Sequence, residues 1–182
     1  MPILKNLDKE IYMTEQKSKE SELEIRYSDL SDGQYLKQWL QDPSIGRWFP
    51  LADDNEIDDA VPRWVGYSKY RGSLTAVKDG VPCGIATLYL QPYRKLIHQC
   101  ELGIIVGSGY RGKGVGADLM KNLCHLAKTQ FNIELLHLQV YSENPAVRFY
   151  ERFGFTEFGR QKNWIKEMDG TYTGRIFMEK YL

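Results

Sequence analysis

The sequence predicts an α/β protein with a mixed, mostly antiparallel seven-stranded sheet flanked by about four helices. Seven segments show the alternation or apolar continuity of strands, and four show the periodicity or capping signals of helices. The hairpin signals Asp79-Gly80 and Asp169-Gly170 make neighbouring strands antiparallel. The chain has 182 residues, of which 42% are hydrophobic. We therefore expect one domain over residues 21–182, preceded by a mostly polar N-terminal extension over residues 1–20.

The first strand and the first helix follow directly from local patterns. Residues 23–27 alternate between apolar and polar side chains, which predicts a strand. Ser31 or Asp32 is suited to cap the helix that follows, and this helix ends near Asp42. The apolar stripe of the helix consists of Tyr35, Leu36, Trp39 and Leu40.

The next segments predict one helix and three strands. Residues 53–65 begin with acidic side chains, which favour a helix start, and Pro62 predicts a break in this helix. Residues 74–78 and 81–93 predict the two strands of a hairpin. Residues 100–106 form a further apolar strand, so three successive antiparallel strands precede the glycine-rich segment.

The C-terminal half alternates between helices and strands. After the glycine-rich residues 107–116 the chain predicts a core-facing helix, and residues 135–140 predict a strand. Asn144-Pro145 is a good N-cap and first-turn pair for a short helix ending at Gly154. Residues 155–165 and 172–180 predict a closing hairpin. The apolar stripe of the longer helix is Val115, Leu119, Leu123 and Leu126, widened by Met120 and Ala127.

Composition excludes several classes of protein. The 24 Lys and Arg residues balance the 24 Asp and Glu residues, so the chain lacks the basic excess of a dedicated nucleic-acid or membrane-surface binder. Three cysteines without a C-x-x-C pair predict neither a disulfide framework nor a thiolate zinc site, and they favour a reducing, cytoplasmic location. No apolar run is long enough to span a bilayer. The histidines lack metal-ligand spacing, so we expect no metal; they are His98, His125 and His137.

The glycine-rich segment predicts a phosphate site. A strand that leads through glycines into a helix places free backbone N–H groups and the positive end of the helix dipole at one point. The spacing excludes the P-loop, because no Ser or Thr follows a lysine where magnesium needs it. The dinucleotide fingerprint also fits poorly, because Ala117 stands at its third glycine. The spacing does fit R-x-x-G-x-G, from Arg111 to Gly116.

Three pieces in register make the sequence resemble the GCN5-related N-acetyltransferase (GNAT) family. Residues 101–106 resemble the family's fourth strand, and residues 111–116 resemble its acetyl-CoA pyrophosphate loop. Residues 144–155 resemble the signature N-x-x-A-x-x-x-Y-x-x-x-G-F. The resemblance covers about residues 100–158 and implies a fourth and a fifth strand that splay apart to hold acetyl-CoA as cosubstrate.

The resemblance assigns residues to the cofactor and to catalysis. A backbone N–H near the end of the fourth strand polarises the acetyl carbonyl, and the Tyr150 hydroxyl protonates the departing thiolate. Glu101 is the first choice for the base, because it opens the fourth strand near the family's amine site. Many relatives place a glutamate in the fifth strand, where this sequence has Gln139, which cannot act as a base. The residues expected to bind the cofactor are Ile104, Ile105, Val106, Arg111, Gly112, Lys113, Gly114, Val115, Gly116, Asn144, Ala146, Phe149 and Tyr150.

Two functions from different classes remain open at this point. The first is an enzyme that transfers acetyl directly to a primary amine in a ternary complex. Its acceptor is an aminoglycoside-like or polyamine-like small molecule or a protein N-terminus. The alternative is a non-catalytic acyl-CoA-binding sensor or interaction module. The protein is expected to be a monomer or a homodimer. Glu101 is also consistent with a solvated strand residue, and Trp48 and Phe49 with either core packing or an acceptor pocket.

Overall fold

A computed structural model describes residues 23–182, so the expected extension over residues 1–20 lies outside the described residues. Residues 23–182 form seven strands in one sheet of order β1-β2-β3-β4-β5-β7-β6. This confirms the predicted seven-stranded α/β fold. The strands are β1 (Leu23–Tyr27), β2 (Ser73–Lys78), β3 (Val81–Tyr89), β4 (Gln99–Val106), β5 (Leu135–Tyr141), β6 (Thr156–Lys166) and β7 (Tyr172–Tyr181). The helices are α1 (Gly33–Gln41), α2 (Pro43–Gly46), α3 (Asp54–Val65), α4 (Val115–Phe131) and α5 (Ala146–Arg152).

Helices cover both faces of the sheet and create two cores. On one face, α4 and α5 bury an extensive cluster that includes Leu119, Leu123 and Tyr150. On the opposite face, α1 and α3 bury a smaller cluster that includes Trp39 and Trp64. Successive side chains of β4 alternate between the two clusters, because strand residues point to opposite faces. The residues of β4 therefore support both layers.

The start of α1 differs from the prediction that Ser31 or Asp32 caps it. Asp29 caps a 3-10 turn, Leu30–Asp32, that leads into the helix, and Asp29 accepts a hydrogen bond from the Ser31 N–H. Asp32 makes no side-chain cap to α1. Its carboxylate is only 2% exposed and accepts hydrogen bonds from Arg26 and Thr75 at 2.7–2.8 Å. The Asp32 side chain therefore forms a buried ion pair with Arg26 and does not form the cap of α1 that the sequence pattern predicts.

Replacing Asp32 with Asn should lower the free energy of unfolding by about 1–3 kcal/mol, because Arg26 and Thr75 lose a charged acceptor. Burial raises the pKa of Asp32, but hydrogen bonds from Arg26, the Asp29 N–H and Thr75 outweigh it, and the pKa is lowered from 3.8. The stabilisation is therefore complete above the unfolded pKa and is lost as pH falls through the folded pKa. Chemical denaturation of wild type and Asp32→Asn at neutral and at acidic pH measures how the difference in unfolding free energy depends on pH.

A difference between wild type and Asp32→Asn that is the same at neutral pH and at pH about 2 would contradict the assignment. Asp58→Asn is the control, since Asp58 is exposed and pairs with Lys37 on the surface. Exposed pairs contribute about 0–1 kcal/mol, so this control should be nearly neutral.

Two element boundaries also differ from expectation. The helix α3 continues through Pro62 to Val65, so the predicted break is wrong. Burial of Trp64 and Val65 in the smaller core holds the last turn in place despite the missing N–H. The strand β3 ends at Tyr89, which is in register with Glu101 of β4, and not at Tyr93 as the sequence pattern predicted.

Strands β4 and β5 separate soon after they meet. They are parallel, and within residues 23–182 they share three registered pairs, from Gln99 with Leu135 to Glu101 with His137. Beyond this point β4 runs on to Val106 while β5 runs on to Tyr141. The sheet therefore opens into a gap, as the resemblance implied.

Candidate active site

A cavity of about 610 Å³ occupies the gap between β4 and β5. Both strands, the glycine-rich loop and the start of α5 contribute walls, and the loop after α2 closes one side. The lining residues include Leu102 to Val106, Arg111, Gly112, Gly114, Gly116, Gln139, Val140, Asn144 to Ala146, Phe149 and Tyr150, together with Trp48 and Phe49.

One wall of the cavity is the unpaired edge of β4. The Gly107 N–H donates to the Cys83 carbonyl of β3 at 3.0 Å, which fixes the alternation of hydrogen bonds along β4. In an antiparallel pair, alternate residues turn their N–H and C=O groups away from the partner strand. Ile104 and Val106 therefore present their backbone groups to the gap, while the Ile105 side chain is buried in the smaller core. A ligand in extended form can hydrogen bond to this edge.

The glycine-rich loop delivers free N–H groups at the N-terminus of α4. Gly112 and Gly114 have φ values of +71° and +87°, a left-handed conformation that favours glycine. No side chain caps α4 in the part of the chain that the structure describes. The N–H groups of its first turn, together with the helix dipole, therefore form an anion site at the mouth of the gap. Val115 contributes its backbone here, because its side chain is buried.

Two basic side chains flank this anion site. The exposed Arg111 donates from Nε to the Val106 carbonyl at 3.1 Å and from Nη1 to the Ser44 carbonyl at 3.4 Å. Lys113 donates to the Gly109 carbonyl at 2.8 Å and is exposed. Arg111 therefore also joins the glycine-rich loop to the segment that leads to Trp48.

The short helix α5 places Tyr150 in the opposite wall. Asn144 Oδ1 accepts a hydrogen bond from the Ala146 N–H at 2.9 Å, which satisfies one amide at the helix start, although Pro145 and not Asn144 directly precedes the helix. Tyr150 is 8% exposed and packs edge-on against Phe149 and Phe155. Burial raises the pKa of Tyr150, so the phenol stays protonated at neutral pH. Within residues 23–182 its hydroxyl donates to no protein acceptor, and it is free to donate to a ligand.

Glu101 lies at the point where β4 and β5 part, next to the cavity and not among its lining residues. It is in register with His137 of β5, and His137 is in register with Glu179 of β7. Registered neighbours share one face of the sheet, so the three side chains form a row. Burial lowers the pKa of His137 despite the two neighbouring carboxylates, so its ring is neutral at pH 7.

Two aromatic residues that sequence reasoning missed, Tyr141 and Trp164, extend this face beyond the cavity. Trp48 packs edge-on against Tyr141 with ring centroids 6.2 Å apart, and Tyr141 packs edge-on against Trp164 at 5.9 Å. Arg175 lies over Trp164 and donates to Gln139 of the cavity wall. Tyr141 and Arg175 are in register on β5 and β7. Alternation along each strand could have indicated which residues share a face of the sheet. Only the strand order β5-β7-β6 brings the residues of these three strands together.

Acetyl-CoA fits these features. The unpaired edge of β4 suits an extended pantetheine chain, and the first turn of α4 suits a pyrophosphate. Among residues 23–182 no three His, Cys, Asp or Glu side chains gather closely enough to hold a metal ion. None of the described helices combines the length and the apolar character that crossing a membrane requires.

Comparison with known proteins agrees with the site. The acetyltransferase (GNAT) family matches residues 33–155. The chain is 24% identical to the L-amino acid N-acetyltransferase AaaT of Escherichia coli (strain K12) over 88% of this chain and 98% of that protein. It has the fold of the ribosomal-protein-alanine N-acetyltransferase from Brucella melitensis, with a TM-score of 0.73, 23% identity, and 87% and 99% coverage.

A second solved structure is yncA from Salmonella typhimurium, determined with its cofactor acetyl-CoA. Its TM-score is 0.73 at 19% identity, and the match covers 88% of this chain and 94% of that chain. The family match spans two thirds of the chain and includes the glycine-rich loop and α5. The chain belongs to the GNAT acetyltransferase family and is an N-acetyltransferase that takes its acetyl group from acetyl-CoA.

Proposed function

We propose that this enzyme acetylates the α-amine of a small amino acid-like molecule. The observation that carries the proposal is that the gap holding the donor opens onto the face of the sheet with the row Glu101, His137 and Glu179. Carboxylates attract an ammonium group, and the aromatic side chains beside them offer apolar contact for the rest of the acceptor. AaaT, by its name, acts on L-amino acids, which supports this choice of amine.

The same site suits direct transfer in a ternary complex. Acetyl-CoA supplies an activated thioester when bound. The N–H groups of Ile104 and Val106 face the gap and are placed to stabilise negative charge that develops on the acetyl oxygen. Tyr150 holds a proton at its hydroxyl and donates it to the departing sulfur.

The acceptor must lose a proton before or during attack. An amine with a pKa near 10.4, such as a lysine side chain, is almost entirely protonated at pH 7, and the α-amine of a peptide N-terminus, with a pKa near 8, is mostly so. Glu101 is the proposed base. Because Glu101 lies beside the cavity and does not line it, the proton passes through one intervening water. Neutral His137 beside it adds no positive charge that would repel the ammonium.

A protein N-terminus is the second candidate acceptor. The fold match to the ribosomal-protein-alanine N-acetyltransferase of Brucella melitensis favours it, since that protein's name gives an alanine of a ribosomal protein as its target. An α-amine is common to both candidates. Aminoglycoside-like and polyamine-like acceptors carry no such α-amine and stay in the test as alternatives.

The test is release of free CoA from acetyl-CoA across a panel of amines, with acetylated product identified by mass spectrometry. The panel contains L-amino acids, peptides with free N-termini, polyamines, aminoglycosides and amino sugars. We expect turnover with amino acids. Turnover only with polyamines, aminoglycosides or amino sugars would contradict the proposal, and turnover only with peptides would favour the second candidate.

A further inference from the structure

We propose that Arg175 binds the carboxylate of the acceptor and makes the enzyme selective for free amino acids over peptides and amino acid amides. This rests on the proposed function, because it concerns the other end of the same acceptor. Arg175 projects from β7 onto the face of the sheet that carries the row Glu101, His137 and Glu179.

The guanidinium of Arg175 is fixed in place by neutral partners. Its Nε and Nη2 donate to Gln161 Oε1 at 3.2 and 3.1 Å, and its Nη1 donates to Gln139 Oε1. Two ring faces, those of Trp164 and Phe177, lie 4.3 and 4.4 Å from its central carbon. A guanidinium held in this way has lost most of its freedom before any ligand arrives, which favours tight recognition.

The charge of Arg175 is not neutralised within the described part of the chain. Arg175 makes no ion pair there, whereas exposed arginines on the same sheet do, as Arg160 does with Glu157. Arginine has five N–H donors and three are taken, so two remain for an anion. A carboxylate that accepts both would form the bidentate pair for which a guanidinium is shaped.

The position of the guanidinium matches the length of an α-amino acid. Arg175 lies over the ring of Phe177 and contacts Gln139, and these two residues are registered partners. The next pair on this face is His137 with Glu179, two residues away, which is about 7 Å along a strand. An α-amino acid carries its ammonium and its carboxylate on one carbon. Glu101 lies one strand beyond His137, on β4. The amino acid can therefore place its carboxylate on Arg175 and direct its ammonium toward Glu101, with the intervening water between the ammonium and the Glu101 carboxylate.

Gln139 connects this anion site with the chemistry. Its side chain both lines the donor cavity and accepts from Arg175, so an acceptor bound to Arg175 lies against the wall of the cavity. Trp48 reaches the same region through its edge contact with Tyr141. Gln139 stands where many relatives of the family have a glutamate, and a glutamine side chain cannot act as a base. Its contact with Arg175 gives it a role in holding the guanidinium.

The test compares L-amino acids with their matched C-terminal amides in wild type, Arg175→Met and Arg175→Lys. We expect wild type to prefer the acid by at least about tenfold in kcat/KM, which is the range of a charged hydrogen-bonded contact. Arg175→Met should lose this preference, mainly through a lower kcat/KM for the acid. Arg175→Lys should keep part of the preference for the acid, because lysine retains the positive charge but lacks the planar guanidinium that binds a carboxylate through two donors. Comparing each variant with wild type cancels the difference in basicity between the two amines.

Arg160→Met is the matched control, since Arg160 is registered with Ile176 and so points to the opposite face of the sheet. The preference of Arg160→Met for the amino acid over its amide should equal that of wild type. Equal kcat/KM for acid and amide in wild type would overturn the proposal even if no Arg175 variant folds. A preference that survives Arg175→Met would also overturn it. Turnover of amides and peptides alone would refute the role of Arg175 while leaving α-amine acetylation intact, whereas turnover of none of these amines would refute both.

Discussion

Replacing Tyr150 with Phe is expected to lower kcat more than tenfold while the affinity for acetyl-CoA stays nearly unchanged, because a positioned acid contributes about 10²–10⁴-fold. The ring of Tyr150 is buried between Phe149 and Phe155, and phenylalanine keeps all of these contacts. Only the hydroxyl is lost. Burial raises the pKa of Tyr150, so the wild-type hydroxyl carries its proton across the neutral range and can give it to the departing thiolate.

Steady-state kinetics with an accepted amine and calorimetric titration with acetyl-CoA separate the two effects. Tyr35→Phe is the control, because Tyr35 is half-buried against Trp39 and does not line the cavity. It should leave both quantities at their wild-type values. If Tyr150→Phe turned over at the wild-type rate, the tyrosine would have no part in the proton transfer.

Gly114→Asp is expected to abolish measurable binding of acetyl-CoA. Gly114 has a φ of +87° and stands at the N-terminus of α4. A Cβ added there meets no protein atom within 4 Å, so the new side chain would project into open space at the loop. Its carboxylate would occupy the free N–H groups and repel the pyrophosphate by like charge. The left-handed backbone would add a strain of about 1–2 kcal/mol.

Gly170→Asp is a closely matched control for this variant. Gly170 also has a φ of +87°, and a Cβ there also meets nothing within 4 Å, but it lies in the turn between β6 and β7. Both variants should lose similar stability on thermal unfolding. Affinity for acetyl-CoA, measured by calorimetry, should be lost in Gly114→Asp alone. Retention of wild-type affinity in Gly114→Asp would mean that the pyrophosphate site is assigned to the wrong loop.

Local patterns were sufficient for most of the fold. Alternation and the turn Asp79-Gly80 placed β2 and β3, and the apolar stripe of α4 placed that helix against the sheet. The errors at Asp32 and at Pro62 share one cause. Each depends on a partner distant in sequence, such as Arg26 and Thr75 for Asp32, and local pattern carries no information about such partners.

The two halves of the site differed in the same way. The residues proposed to bind the donor lie in two short motifs, the glycine-rich loop and the Asn144–Tyr150 signature. Each motif is complete within a few residues of sequence. The proposed acceptor half combines residues of β4, β5, β6, β7 and the loop after α2. Arg175 meets Gln139 and Trp164 only because β7 inserts between β5 and β6. No spacing in the sequence predicts that order.

Binding of acetyl-CoA between β4 and β5 is tested most directly by hydrogen–deuterium exchange with and without the cosubstrate. Protection is expected at the N–H groups of Ile104 and Val106 and in the first turn of α4, from Val115 to Ala117. The N–H groups of β2 serve as the internal reference and should not change. Binding that protects other segments and leaves these N–H groups exchanging at their free rate would contradict a donor site in the gap.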